Sequence, residues 1–364
     1  LSYIESIGTT EPAHRHTQKD ILEFMQKTYE LGDIEKRKLA FLYNHSGIEA
    51  RHSVLADYGN TPEESGFLPV DHFTDYPTIE KRQAVYDKEA LPLALEAIRD
   101  CLEGVEKAAS VTHLITVSCT GMSAPGLDLD IAAALQLSPN LVRTSVNFMG
   151  CYAAIHAMKM ADWICKAEPE ARVLIVSVEL CTLHFQKEFT VDNATSSLLF
   201  ADGAAAALIS NKKQKDKKSI RLTNFYSWVN AEGRKDMTWA LSSQGFRMTL
   251  SSYVPHLLST NIKPVVEAAL AQNNYFLADV THWCIHPGGK RILEAIGKQL
   301  DIDDGQMKEA YSVLGSHGNM SSATILFVLK KMMYQIKETR DSALVFGVAF
   351  GPGLTMETFL AESV

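Results

Sequence analysis

The chain has 364 residues, 46% of them hydrophobic and 21% charged, with a net charge of −8. This is enough apolar surface for a large core, which excludes disorder as the main state, and a length that suits two domains or one large α/β fold. Unbroken apolar runs reach only a few residues, as at 204–209, against the roughly 20 of a membrane helix, and the acidic balance lacks the basic footprint of a general nucleic-acid binder. A local basic patch that receives a phosphate-bearing ligand stays open.

In chain order, helical spacing over 21–31 follows Thr17, Gln18 and Asp20, which suit a helix start. Residues 87–104 predict a second helix, and 112–119 a buried strand ending at Gly121 and Pro125. A strand over 143–149 gives way at Gly150 to a helix over 152–165, and strands are expected at 172–180 and 204–210. The segment NKKQKDKK at 211–218 reads as a solvated turn, with phosphate binding as the minor alternative, and divides the chain into halves 1–218 and 219–364. The second half alternates again: strand 283–286, helices 289–300 and 320–333, strand 343–350. Such alternation implies an α/β layered fold. There is no 20–50-residue repeat, no G-x-x-x-x-G-K-[ST] loop and no G-x-G-x-x-G after a strand.

The six cysteines, Cys101, Cys119, Cys151, Cys165, Cys181 and Cys284, form no C-x-x-C pair and are too sparse for a disulfide framework. Free thiols in a reducing cytoplasm are therefore expected, and no secretory signal is read over residues 1–12. Three segments carry candidate chemistry. In SVNFMGCYAAIHAM, Cys151 lies where a strand meets a helix, a place whose dipole and free N–H groups favour a thiolate; a buried structural cysteine is the plainer alternative. In THWCIHPGGKRI, His282, Cys284 and His286 share a strand face, but the spacing is unlike closed zinc patterns, so no metal is expected. Pro287-Gly288-Gly289 ends that strand and puts His286 at its C-terminal edge, where ligands gather in α/β sheets. In GSHGNMSSATILF, Asn319 precedes a helical run and serves either as an N-cap or as an amide donor to a developing oxyanion.

The chain resembles the type III polyketide synthases, the chalcone-synthase-like branch of the thiolase-fold ketosynthases. IESIGTTEP, Gly150-Cys151, LLFADGAAAALIS, IHPGG, GNMSSATILF and AFGPGLTMETFL carry the resemblance along nearly its whole length. The resemblance implies a thiolase-like fold, five-layered α/β/α/β/α from two similar halves, usually a homodimer. It assigns Cys151 as acyl-carrying nucleophile, His286 and Asn319 as its catalytic partners, and Phe200 as gatekeeper between the CoA tunnel and the reaction cavity. The turn Gly351-Pro352-Gly353 corresponds to the cavity floor, and Ser321 to a pocket-lining position. Cys119, Cys181 and His184 stand where chalcone-forming members carry threonine, Met248 where they carry a second phenylalanine, and Trp239 near a small glycine. These departures imply a reshaped, smaller pocket. Arg51, Lys290 and Arg291 are candidate contacts to CoA phosphates, and Glu179 a structural carboxylate.

The activity so implied is loading of a starter acyl-CoA on Cys151 and iterative decarboxylative condensation with malonyl-CoA, with no cofactor beyond the CoA thioesters. Two alternatives stay open: a single-condensation ketoacyl synthase of the fatty-acid-initiating type, fed by an acyl carrier protein, and a non-catalytic partner subunit.

Overall fold

The structure is a computed structural model that describes all residues except 60–65, 69–76, 105–109, 187, 214–217, 243–244, 252 and 339–340. The middle of the lysine-rich turn lies outside the described residues. Nine strands form one sheet, in the spatial order His282–Ile285, Leu344–Gly351, Thr355–Ser363, Ile220–Val229, Ser2–Thr10, Asp202–Ser210, Arg172–Leu180, His113–Ser118 and Val142–Asn147. Within the sheet the halves join where Ser2–Ile4 pairs with Ile220–Leu222.

Outward from that join the two halves repeat one topology. In each, the first strand lies antiparallel to the last, the last antiparallel to the penultimate, and the penultimate parallel to an earlier strand. The parallel strands are apolar because both faces are covered: every residue of Arg172–Leu180 (RVLIVSVEL) is buried. Its neighbour Asp202–Ser210 (DGAAAALIS) is also fully buried and rich in alanine, which lets helices approach closely from either side.

Two helices form the middle layer. Ala153–Ala167 packs against Arg172–Leu180 and Asp202–Ser210 of the first half and Thr355–Ser363 of the second. Ala323–Glu338 packs against Asp202–Ser210 and His282–Ile285, and the two helices touch each other. The run Ile325-Leu326-Phe327-Val328-Leu329 is buried all round, as a helix between the two halves of the sheet must be. Ile79–Leu102 covers the first half from outside, and the paired helices Val254–Ala271 and Lys290–Leu300 cover the second. This is the five-layered α/β/α/β/α arrangement. Among the described residues no helix is long and apolar enough to cross a membrane.

Most element boundaries fall within a few residues of expectation. Ile79–Leu102 begins eight residues earlier than periodicity suggests, because the Thr78 hydroxyl accepts from Lys81 N–H and caps the helix there. The strands Ser2–Thr10, Ile220–Val229 and Thr355–Ser363 and the hairpin Met237–Ser242/Gly245–Leu250 were not legible. Ser2–Thr10 and Thr355–Ser363 are mostly buried despite their serines, threonines and glutamates, while Ile220–Val229 and the hairpin are largely part-exposed, and tertiary packing decides both outcomes.

Candidate active site

The middle-layer helices carry the site. Cys151 stands just before Ala153–Ala167 and Asn319 just before Ala323–Glu338. Because the halves repeat each other, the starts of these two helices face one another, and residues 168 positions apart come to Cys151 Sγ to Asn319 Oδ1 at 4.0 Å. The turn into Cys151 depends on Gly150, whose φ of +83° is left-handed and where a Cβ would lie 2.2 Å from Pro352 Cδ. Its N–H donates to Cys119 Sγ at 3.2 Å. Gly150→Ala is expected to cost about 2 kcal/mol or more of stability, read as a lowered denaturation midpoint, and to slow iodoacetamide labelling of the displaced Cys151.

Asn319 is not an N-cap, since the helix begins four residues later. Its backbone is pinned beside Phe200: Asn319 N–H donates to Leu199 O, and Ala201 N–H donates to Asn319 O, both at 2.9 Å. Its Oδ1 accepts Ser321 N–H at 2.9 Å, a bond that only an oxygen can receive. The amide NH2 therefore remains a donor without a partner among the described residues. His286 follows the strand His282–Ile285, its own N–H donating to Val348 O at 2.9 Å. The residue is 1% exposed, and both ring nitrogens are buried without a hydrogen-bond partner among the described residues. No group of three or more His, Cys, Asp or Glu able to hold a metal occurs among the described residues; Cys284 Sγ instead donates to Ile325 O at 3.9 Å.

Burial sets the electrostatics. It pushes the Cys151 thiol up to about 12 and the His286 imidazole down to about 3. Burial thus opposes the thiolate that the helix end favours. Passing the thiol proton to His286 creates both charges together, each compensating the other inside one cavity. Glu179, at the end of its strand, accepts Cys119 N–H at 2.9 Å and the Ser322 hydroxyl and N–H, while burial pushes its carboxyl up to about 7. It ties the segment before the cavity to the Asn319 turn, a structural role.

Cys151, His286, Asn319, Phe200, Cys119, Cys181, His184, Met248, Ser321 and Pro352 all line one cavity, together with Trp239. Gly351 does not: its flanks Phe350 and Pro352 line the wall, while a Cβ on Gly351 would meet the Tyr152 ring at 2.6 Å behind it. Arg51 lines the cavity from a buried position, with Nε donating to Gln18 Oε1 at 3.0 Å and Nη1 to Phe200 O, while its Nη2 has no hydrogen-bond partner among the described residues. Lys290 and Arg291 do not line the cavity; Ile292 of the same helix does. Lys290 lies at the surface, 3.8 Å from Glu294, and Arg291 is exposed. Sequence reasoning missed Thr120, Gln186, Asn193, Ser196 and Phe246. Phe246 had one available signal, its place beside Met248 in the segment that yielded Trp239.

The family model for the N-terminal domain of chalcone and stilbene synthases matches residues 2–213, and that for the C-terminal domain matches 228–364. The chain is 28% identical to the alpha-pyrone synthesis polyketide synthase-like Pks18 of Mycobacterium tuberculosis, covering 100% of this chain and 92% of that protein. It is 25% identical to the 1,3,6,8-tetrahydroxynaphthalene synthase of Streptomyces peucetius subsp. caesius, covering 98% and 92%. The crystal structure of PKS-I from the brown alga Ectocarpus siliculosus matches with a TM-score of 0.93 at 26% identity, covering 100% of this chain and 98% of that one.

Proposed function

Because the chain belongs to the chalcone and stilbene synthase family and is a type III polyketide synthase, we propose that Cys151 carries the growing acyl chain while His286 and Asn319 drive its extension with malonyl-CoA. The observation that carries this reading is the meeting of a thiol, a free amide donor and an imidazole with two unpartnered nitrogens in one cavity.

His286 takes the Cys151 proton, the sulfur attacks the thioester carbonyl of a starter acyl-CoA, and CoA leaves as the thiol. Malonyl-CoA then occupies the cavity. Its carboxylate departs as CO2, and the electron pair of the broken C–C bond moves into the thioester as an enolate. The His286 ring N–H and the Asn319 NH2 donate to that enolate oxygen, in a site where water does not compete. The enolate carbon attacks the acyl carbon on Cys151, forming the new C–C bond and releasing the sulfur. Reloading the resulting β-ketoacyl-CoA on Cys151 repeats the cycle. Decarboxylation supplies the carbanion, so the steps call for no metal or redox cofactor.

The edge strand Val142–Asn147 pairs on one side only among the described residues, and a second copy of the chain is the cover we propose for it; six free cysteines support a reducing cytoplasm. Incubation with malonyl-CoA and a panel of acyl-CoA starters, followed by mass spectrometry, tests the activity. Products gaining two carbons per CO2 released, over more than one cycle, are expected. Absence of CO2 and product with every starter overturns the reading, and product only from carrier-protein thioesters shifts it to the ketoacyl-synthase type.

A further inference from the structure

The middle-layer helix Ala323–Glu338 changes character towards its C-terminus. Phe327, Lys330, Lys331, Tyr334 and Gln335 stand at i, i+3, i+4, i+7 and i+8, along one face. That face borders an open groove of about 680 Å³, whose other wall carries Lys308, Glu309 and Ser312 of the helix Lys308–His317. The groove has the size of a small-molecule site. It shares no lining residue with the catalytic cavity, and the steps above use none of these side chains.

Three of its features lack a complement. Lys331 Nζ donates to Ser312 Oγ at 2.8 Å but pairs with no carboxylate among the described residues, whereas its neighbour Lys330 is bound to Asp100 and to Thr9 Oγ1. Glu309 is 6% exposed, yet its Oε1 accepts no hydrogen bond among the described residues, a condition that costs stability unless a donor completes it. The exposed Lys308 reaches only to 3.7 Å from that oxygen. Tyr334 is 69% exposed and offers a flat ring to solvent. One helical turn separates Glu309 from Ser312, and another Lys331 from Tyr334, about 6 Å each. Because Lys331 Nζ meets Ser312 Oγ between the two helices, one mononucleotide-sized molecule can reach all three features.

The lysines call for an anion, but a bare anion would leave the Glu309 oxygen unsatisfied and face its charge. A polyamine would satisfy Glu309 and be repelled by the lysines. A nucleoside phosphate carries every complement at once: phosphate oxygens for the ammonium groups, ribose hydroxyls that donate to a carboxylate, and a flat base for an aromatic ring. We propose that this groove binds a nucleoside phosphate, with its phosphate on Lys331 and Lys308, a ribose hydroxyl donating to Glu309 Oε1 and its base on Tyr334. A free nucleotide and the nucleotide end of CoA share this chemistry, and the site is independent of the condensing activity proposed above.

Equilibrium dialysis of the whole protein against AMP, adenosine 3′,5′-bisphosphate, adenosine and inorganic phosphate tests the site. At least one of the two nucleotides should bind at one site per chain with a Kd below about 1 mM. Adenosine and phosphate should each bind at least about tenfold more weakly. Tighter AMP identifies a free nucleotide as the occupant and tighter bisphosphate the end of CoA; either result supports the proposal. Lys331→Glu should weaken nucleotide binding about tenfold or more, Tyr334→Ala about fivefold or more, and removal of both ribose hydroxyls from AMP about tenfold. Both altered residues are exposed, so the denaturation midpoint and malonyl-CoA decarboxylation should match those of the unaltered protein. Absence of saturable nucleotide binding overturns the proposal. So does phosphate binding as tightly as either nucleotide, or nucleotide affinity that neither variant changes, which places the nucleotide elsewhere. Failure of the condensing reading is seen separately, as absence of decarboxylation in the unaltered protein.

Discussion

Replacing Cys151 by alanine is expected to lower product formation by at least about a thousandfold while malonyl-CoA decarboxylation continues. The two outcomes separate because the thiol is needed only to hold the acyl chain. In the proposed mechanism the enolate is stabilised by donors the substitution does not touch: the Asn319 NH2, oriented by the Ser321 N–H on its oxygen, and His286. Mass spectrometry of products and measurement of CO2 from the same reaction check both halves. Product at an unaltered rate would remove Cys151 from the mechanism. A companion measurement concerns how that thiol is activated. In His286→Gln no group takes its proton, so alkylation by iodoacetamide should follow the thiol that burial pushes to about 12. The thiolate fraction then grows tenfold for each pH unit below that value, and labelling should climb accordingly from pH 7 to pH 10. Labelling that is already maximal at pH 7 in this variant would show that His286 is not the proton acceptor.

The second large effect is expected at Asn319→Asp, with decarboxylation and condensation both falling by about 10²- to 10³-fold. The change conserves shape, and an aspartate oxygen still accepts the Ser321 N–H that now binds Oδ1 at 2.9 Å. What it removes is the NH2 donor. In its place stands a carboxylate oxygen directed at the negative charge of the forming enolate, so a favourable contact becomes a repulsion. Since the backbone bonds of residue 319 to Leu199 and Ala201 are untouched, the denaturation midpoint should change little. CO2 release by the purified variant, set against that midpoint, distinguishes a lost donor from a damaged turn. An aspartate variant that decarboxylates normally would rule out the amide as an enolate donor.

Much of this site was legible because its parts are local. Cys151 follows the left-handed Gly150, His286 follows an apolar strand and precedes Pro287-Gly288-Gly289, and Asn319 stands four residues before a helix. Each of those signals lies within a few residues of the side chain it marks. What local pattern did not show was of another kind. Arg51 in SGIEARH is buried, its Nε and Nη1 donating to Gln18 and to the Phe200 carbonyl from distant segments. Gly351 reads as cavity floor, yet the Tyr152 ring stands against it. The helix end beside Cys151 is visible in sequence, whereas the burial that opposes its thiolate is not.

By itself the sequence determined the alternation of strands and helices, the two-half organisation of its motifs and the residue types available for chemistry. Apolar period, glycine and proline act over a few residues and need no partner. Only the tertiary structure decided how deeply Arg51 and Cys151 are buried, that Cys151 Sγ and Asn319 Oδ1 stand 4.0 Å apart across 168 residues, and that Trp239 and Phe246 close around His184. Those outcomes follow from the packing of two repeated halves face to face, and the interior so formed sets burial, and with it proton affinity, at positions no local pattern can see.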